Sequence, residues 1–139
     1  MSTLAVAAAS MHGTLHGADQ PFAGVSTDTR TLRRGELFVA LRGPNFDGRD
    51  YVGQACDKGA AGAVVDALVD GGGGASLSQV VVNDPKRALG LLGAAWRDQL
   101  GTTVIAITGS NGKTTLKEMT AACLRTMAPT LDRKSTRLN

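Results

Sequence analysis

The sequence predicts an α/β fold in two parts, and three observations carry that prediction. Short β-branched and aromatic runs, such as Leu37-Phe38-Val39 and residues 60–65, alternate with segments of helical spacing. The chain has 139 residues, 42% of them hydrophobic, which is enough to bury a core of domain size. Beyond residue 101 a second apolar run passes through two glycines into a new helical pattern, a strand-loop-helix order typical of nucleotide-binding α/β domains.

The elements follow in order. Residues 3–11 are alanine-rich and predict a short helix. Residues 24–27 and 37–41 predict strands, with Arg33-Arg34-Gly35 as the turn between them. Asp47 or Asp50 can cap a short helix that carries Tyr51, Val52, Ala55 and Cys56 and ends near Gly59. Residues 60–65 and 79–82 predict further strands, joined by a loop containing Gly71 to Gly74, four consecutive glycines whose backbone entropy opposes regular structure. Asp84-Pro85 is an N-cap followed by proline at the first helical position, and Leu89, Leu92, Ala95 and Trp96 share one face of the helix that follows. Gly101 closes that helix.

Composition removes several function classes. The longest apolar run, residues 4–9, is far short of the roughly 20 residues that cross a bilayer, and no Lys or Arg precedes it to make a signal peptide. A cytoplasmic protein without a membrane partner is expected. Cys56 and Cys123 lack the spacing of a disulfide framework or a zinc site, and His12 and His16 have no third ligand nearby. The net charge is +3, but residues 132–139 carry +2 of it, so the body is nearly neutral. With only 4% aromatic residues, no nucleic-acid partner is implied.

The most informative stretch is Val104-Ile105-Ala106-Ile107-Thr108-Gly109-Ser110-Asn111-Gly112-Lys113-Thr114-Thr115. Residues 104–107 predict a buried strand, and Leu116, Met119, Cys123, Leu124 and Met127 follow helical spacing. Gly109 and Gly112 let the backbone aim its N–H groups at a phosphate, and the helix N-terminus adds a partial positive charge. Lys113 is placed to reach the β and γ phosphates, and the Thr114 hydroxyl to ligate Mg2+. The longer P-loop pattern has glycine five residues before Gly112; here Ile107 stands there, and the match is the shorter Gly-x-x-Gly-Lys-Thr.

On these residues the chain resembles the Mur ligases of peptidoglycan synthesis, whose ATP loop reads T-G-[ST]-N-G-K-[ST]-[ST]. Thr108, Gly109, Ser110, Asn111, Gly112, Lys113, Thr114 and Thr115 fit it at every position. Leu116-Lys117-Glu118-Met119 looks like the branch that adds D-alanyl-D-alanine. In the first half, Ser26-Thr27-Asp28-Thr29-Arg30, Gly35-Glu36-Leu37-Phe38-Val39-Ala40-Leu41 and Gly43-Pro44-Asn45-Phe46-Asp47-Gly48 resemble segments with which such ligases hold the UDP end of their substrate.

The resemblance implies an ATP-dependent amide ligase. ATP phosphorylates a substrate carboxylate, and the amine of D-alanyl-D-alanine attacks the acyl phosphate to extend UDP-N-acetylmuramoyl tripeptide. Lys113 becomes the catalytic candidate, residues 108–115 the ATP site, and Thr114 the Mg2+ ligand. Ser26, Asp28, Arg30, Asn45 and Phe46 become candidates for the UDP end, although Ser-x-Asp-x-Arg also reads as a polar turn tied by its own hydrogen bonds. The implied organisation is a small N-terminal UDP-binding domain over residues 1–83, a helix and linker over 84–101, and the start of a P-loop ATPase domain over 102–131. Residues 132–139 depart from the family's glycine- and asparagine-rich continuation and are expected to be a non-native tail on a truncated chain; a basic nucleic-acid-binding tail is the alternative. A monomer is expected. Two rival readings remain, a diaminopimelate- or lysine-adding relative and a non-catalytic nucleotide- or UDP-sugar-binding module.

Overall fold

A computed structural model describes residues 2–70, 77–101 and 103–131. The expected glycine loop at 71–74 and the tail at 132–139 lie outside the described residues. The chain divides into two compact units, with the division after Gly101.

In the first unit, β1 (Ser2–Thr3) pairs with β3 (Pro21–Phe22), and α1 (Leu4–Ser10) lies between them in sequence. Thr3 caps α1, accepting from the Val6 amide. The main sheet has five strands: β2 (Thr14–His16), β4 (Val25–Ser26), β5 (Leu37–Val39), β8 (Gly62–Val65) and β9 (Gln79–Val81). Their spatial order is β2-β9-β8-β5-β4, with β4, β5, β8 and β9 parallel and β2 antiparallel at the edge. Between β5 and β8 the chain makes a small hairpin of β6 (Arg42–Gly43) and β7 (Phe46–Asp47), a 3-10 turn (Gly48–Tyr51) and α2 (Val52–Asp57). Asp47, one of the two caps expected from sequence, caps the 3-10 turn by accepting from the Arg49 amide.

The inner strands β5 and β8 are apolar on both faces because both faces are covered. Leu37, Val39, Val64 and Val80 pack with Leu4 and Ala7 of α1 and with Ala88 and Leu92 of α3 (Pro85–Leu100). Phe38, Ala63 and Val65 pack on the opposite face against Val52 and Ala55 of α2. This period-two division gives three layers, helix on sheet on helix. Trp96, expected to share one face of α3 with Leu89, Leu92 and Ala95, is 46% exposed, and Ala88 and Leu92 are the residues of α3 buried against the sheet.

The ends of α3 follow the sequence signals. Asp84 accepts from the amides of Lys86 and Arg87 at 2.9 and 3.2 Å, and Gly101 ends the helix at φ 59°. Asp84→Ala is expected to cost the first unit about 1 kcal/mol, the usual worth of such a cap. Urea unfolding followed by the fluorescence of the single tryptophan, Trp96 in α3, checks it. An unchanged midpoint would mean that packing alone sets the start of the helix.

The second unit contains α4 (Lys113–Arg125). The expected strand at 104–107 is not formed: residues 103–109 have no regular structure, and Val104 and Ile105 are 62% and 54% exposed. A parallel strand exists only with a neighbour to complete its hydrogen-bond ladder, and no described strand pairs with this segment. Leu116, Met119 and Met127 are likewise exposed, and Ala121 is the buried residue of α4.

Candidate functional site

In an open α/β sheet the loops that leave the carboxyl ends of parallel strands gather the binding groups. Here β4 runs into residues 27–31, β5 into the β6–β7 hairpin, and β8 into Asp66. A cleft of about 170 Å³ opens at this edge, between Thr27 and Thr29 on one side and Phe46, Gly48 and Tyr51 on the other, over Phe38 and Leu41.

Of the five residues expected to hold the substrate's UDP end, Phe46 lines this cleft. Ser26, Asp28 and Arg30 form a turn bonded to itself. The Ser26 hydroxyl donates to the Asp28 carbonyl at 3.0 Å, and the Arg30 amide donates to Asp28 Oδ1 at 2.9 Å. The Arg30 guanidinium also grips the Asp28 carboxylate, with Nη2 at 2.6 Å from Oδ2, while its own side chain is 87% exposed. Asn45 stands exposed in the two-residue turn Pro44-Asn45 of the hairpin.

The sequence reading missed Thr27 and Thr29, which alternate with Ser26, Asp28 and Arg30 along the same segment. The available signal was their place in the segment Ser26-Thr27-Asp28-Thr29-Arg30, which leaves β4 as one short turn. Thr29 is buried and donates to Gln54 Oε1 of α2, and its carbonyl accepts from Lys58 Nζ at 2.6 Å. These bonds seat the turn on α2. Gly48 was missed as well: a Cβ there would stand 2.6 Å from the Leu41 carbonyl oxygen and 2.7 Å from the Ala40 carbonyl carbon. Only glycine fits under that backbone.

Charge organises both flanks of the cleft. The hydrogen bonds from Arg30 lower Asp28 from the ordinary carboxylate value of 3.8 to about 2. On the other flank, the Arg49 guanidinium holds Asp47 well below the usual carboxylate range. Because Asp28 titrates lower in the folded chain than in the unfolded one, its ion pair contributes fully above about pH 4 and is lost as pH falls through about 2. An NMR titration should place the Asp28 carboxyl midpoint near 2. A midpoint close to 4 would mean that Arg30 does not hold this carboxylate in solution.

The second unit carries the other candidate residues. Gly109 and Gly112 adopt φ 147° and 73°, backbone that side-chain-bearing residues rarely reach, and Gly112 is the N-cap of α4. The Leu116 amide donates to Gly112 O at 3.0 Å, so the amides before it stand at the open end of the helix. Lys113 Nζ donates to the carbonyls of Gly109 and Ser110, folding its cation over the loop. Thr108, Ser110, Asn111, Thr114 and Thr115 are exposed around it.

The sequence profile of the Mur ligase family, catalytic domain, matches residues 21–97, more than half of the chain. The chain belongs to the Mur ligase family. It is 45% identical over 121 residues to the Escherichia coli (strain K12) UDP-N-acetylmuramoyl-tripeptide--D-alanyl-D-alanine ligase, an alignment covering 87% of this chain and 26% of that Mur ligase. The fold is similar to a crystal structure of MurF from Acinetobacter baumannii, with a TM-score of 0.77 at 36% identity over 88% of this chain and 27% of that one. It is also similar to the MurF ligase of Thermotoga maritima in complex with ADP, with a TM-score of 0.66 at 28% identity over 74% of this chain and 23% of that one. The chain therefore spans about a quarter of the length of the Mur ligases it matches.

Proposed function

We propose that this chain is the part of an ATP-dependent amide ligase that holds the UDP end of UDP-N-acetylmuramoyl tripeptide and begins the ATP site, in an enzyme that adds D-alanyl-D-alanine. The observation that carries this reading is the loop at the head of α4, where two glycines of positive φ, a helix N-terminus and a lysine meet. That group of donors fits a polyphosphate: backbone amides and the helix end supply directed N–H groups, and Lys113 supplies a mobile cation. Thr114, exposed in the first turn of α4, would hold Mg2+ through its hydroxyl.

When bound, Mg-ATP supplies the phosphoryl group that activates the substrate carboxylate. The loop's own work is positioning and charge neutralisation, which is most of what phosphoryl transfer asks of a protein. Lys113 must leave the Gly109 and Ser110 carbonyls to meet the phosphates, and its exposure makes that movement inexpensive.

In the first unit, the cleft beside the Asp28–Arg30 turn takes the UDP end. Phe46 and Tyr51 offer aromatic surface, Thr27 and Thr29 hydroxyls, and Arg30 a guanidinium that can exchange Asp28 for a phosphate oxygen. The residues assigned here to each site lie within one chain, and the ligase is proposed to act as a monomer. The cytoplasm is the compartment that an ATP-driven step of this kind implies.

Calorimetry with the 139-residue chain tests the reading. UDP-N-acetylmuramoyl tripeptide should bind, and the same muramoyl tripeptide without UDP should not. Arg30→Ala should weaken binding about tenfold, the lower end for a charge-assisted bond, because the parent must first give up its bond to Asp28. Equal binding of the two ligands would overturn the assignment of this cleft to the UDP end.

A further inference from the structure

The β6–β7 hairpin has two residues in each strand, with Arg42 opposite Asp47 and Gly43 opposite Phe46. A ladder this short does not hold its own shape in water. Yet it carries Asn45 at its tip and sets Phe46 against the cleft.

Four charged side chains fasten it. Arg42 Nη2 lies 3.0 Å from Asp47 Oδ2, across the ladder, and Arg49 Nη2 lies 2.7 Å from the same oxygen. The first pair lies within the hairpin and the second joins it to its own continuation, so both would travel with it. Asp66 is different, because it follows β8 directly and is held at the carboxyl end of that sheet strand. Its Oδ2 is 3.6 Å from Arg42 Nη2, and its Oδ1 is 3.5 Å from Arg49 Nε. One carboxylate on the sheet thus meets a cation at each base of the hairpin. The Asp47 and Asp66 side chains are 26% exposed and Arg49 is 33% exposed, so the Arg49 pairs are better shielded than freely solvated surface pairs, whereas Arg42 is 56% exposed.

We propose that Asp66 is a positioning residue for the cleft: by meeting both Arg42 and Arg49 it ties the hairpin to the carboxyl end of β8 and fixes where Asn45 and Phe46 stand. It does not touch the ligand. Its effect on affinity is the removal of hairpin disorder before binding, which lowers the ordering cost that the ligand would otherwise meet. This rests on the reading of the cleft as the site for the substrate's UDP end.

The test uses the 139-residue chain and its variants Asp66→Ala and Asp66→Glu. Amide hydrogen exchange, followed by NMR, reads the tie without any ligand. In Asp66→Ala the amides of Gly43 and of residues 45–48, including Gly48, which donates to Leu41 O at 2.9 Å, should exchange faster, while those of β5 and β8 keep the parent rates. Calorimetry with UDP-N-acetylmuramoyl tripeptide should show about fivefold weaker binding, within the range of shielded surface pairs. Asp66→Glu, which keeps the charge, should recover part of both effects. Unchanged exchange at those hairpin amides would overturn the inference. So would faster exchange spread through β5 and β8, since Asp66 would then support the sheet rather than the hairpin. Should the parent chain not bind the ligand, the reading of the cleft fails, and the exchange measurement still decides whether Asp66 ties the hairpin.

Discussion

Lys113→Ala, placed in the complete ligase, is expected to slow acyl phosphate formation on the order of 10²- to 10³-fold while leaving affinity for the UDP substrate unchanged. The substitution removes the cation folded over the loop but keeps the positive-φ glycines and the helix N-terminus. Those remaining N–H groups still meet a polyphosphate in its ground state. What is lost is charge at the position where negative charge shifts during transfer, so the step slows more than nucleotide binding weakens. Lys113→Arg should recover only part of the rate, because a planar guanidinium fork does not occupy the place of a compact ammonium. Hydroxylamine trapping reads the acyl phosphate, and calorimetry reads each ligand separately. Trapping at the parent rate would remove Lys113 from the chemistry and weaken the assignment of the whole loop.

The parts of this molecule that could be read in advance are those whose cause is local. Asp84-Pro85 and Gly101 bound a helix through their own side-chain and backbone chemistry, and the structure begins and ends α3 there. Leu37, Phe38 and Val39 promise a strand buried on both sides because no residue among them is polar, and both faces are covered. The pairing of Thr14–His16 with Gln79–Val81 was not legible, since three residues carry too little periodicity and the partner lies far along the chain. The predicted strand at 104–107 failed for a related reason: its apolar pattern describes an environment that no described residue provides. At the cleft, Ser26, Asp28 and Arg30 drew attention as a polar cluster, but Thr27 and Thr29 between them line the opening. Asp66 carries no motif at all, and only the meeting of β8 with the hairpin gives it two arginines.

Phe38→Ala is expected to cost the first unit about 3–5 kcal/mol, a large share of the roughly 5–15 kcal/mol that holds a typical domain. Phe38 is 2% exposed in the interior strand β5, with Ser26 beside it on β4 and Ala63 on β8. Its ring packs with Val52 and Ala55 of α2, where the nearby residues Ala40 and Ala63 are too small to close a gap. The loss should therefore lie toward the upper end, because the cost rises with the cavity that the surroundings cannot fill. The same ring floors the cleft between Thr27 and Tyr51, so its removal also opens that cleft into the core. Leu37→Ala supplies the comparison. Leu37 is fully buried on the opposite face of the same strand, and its truncation should cost about 2–5 kcal/mol without touching the cleft. Urea unfolding followed by circular dichroism gives both losses, and calorimetry below the transition compares the UDP-substrate affinity of the folded fractions. The two variants should be similarly destabilised, but only Phe38→Ala should bind the UDP substrate more weakly once folded. A loss below about 1.5 kcal/mol for Phe38→Ala, or equal affinity in the two variants, would show that the ring neither fills the core under α2 nor shapes the cleft above it.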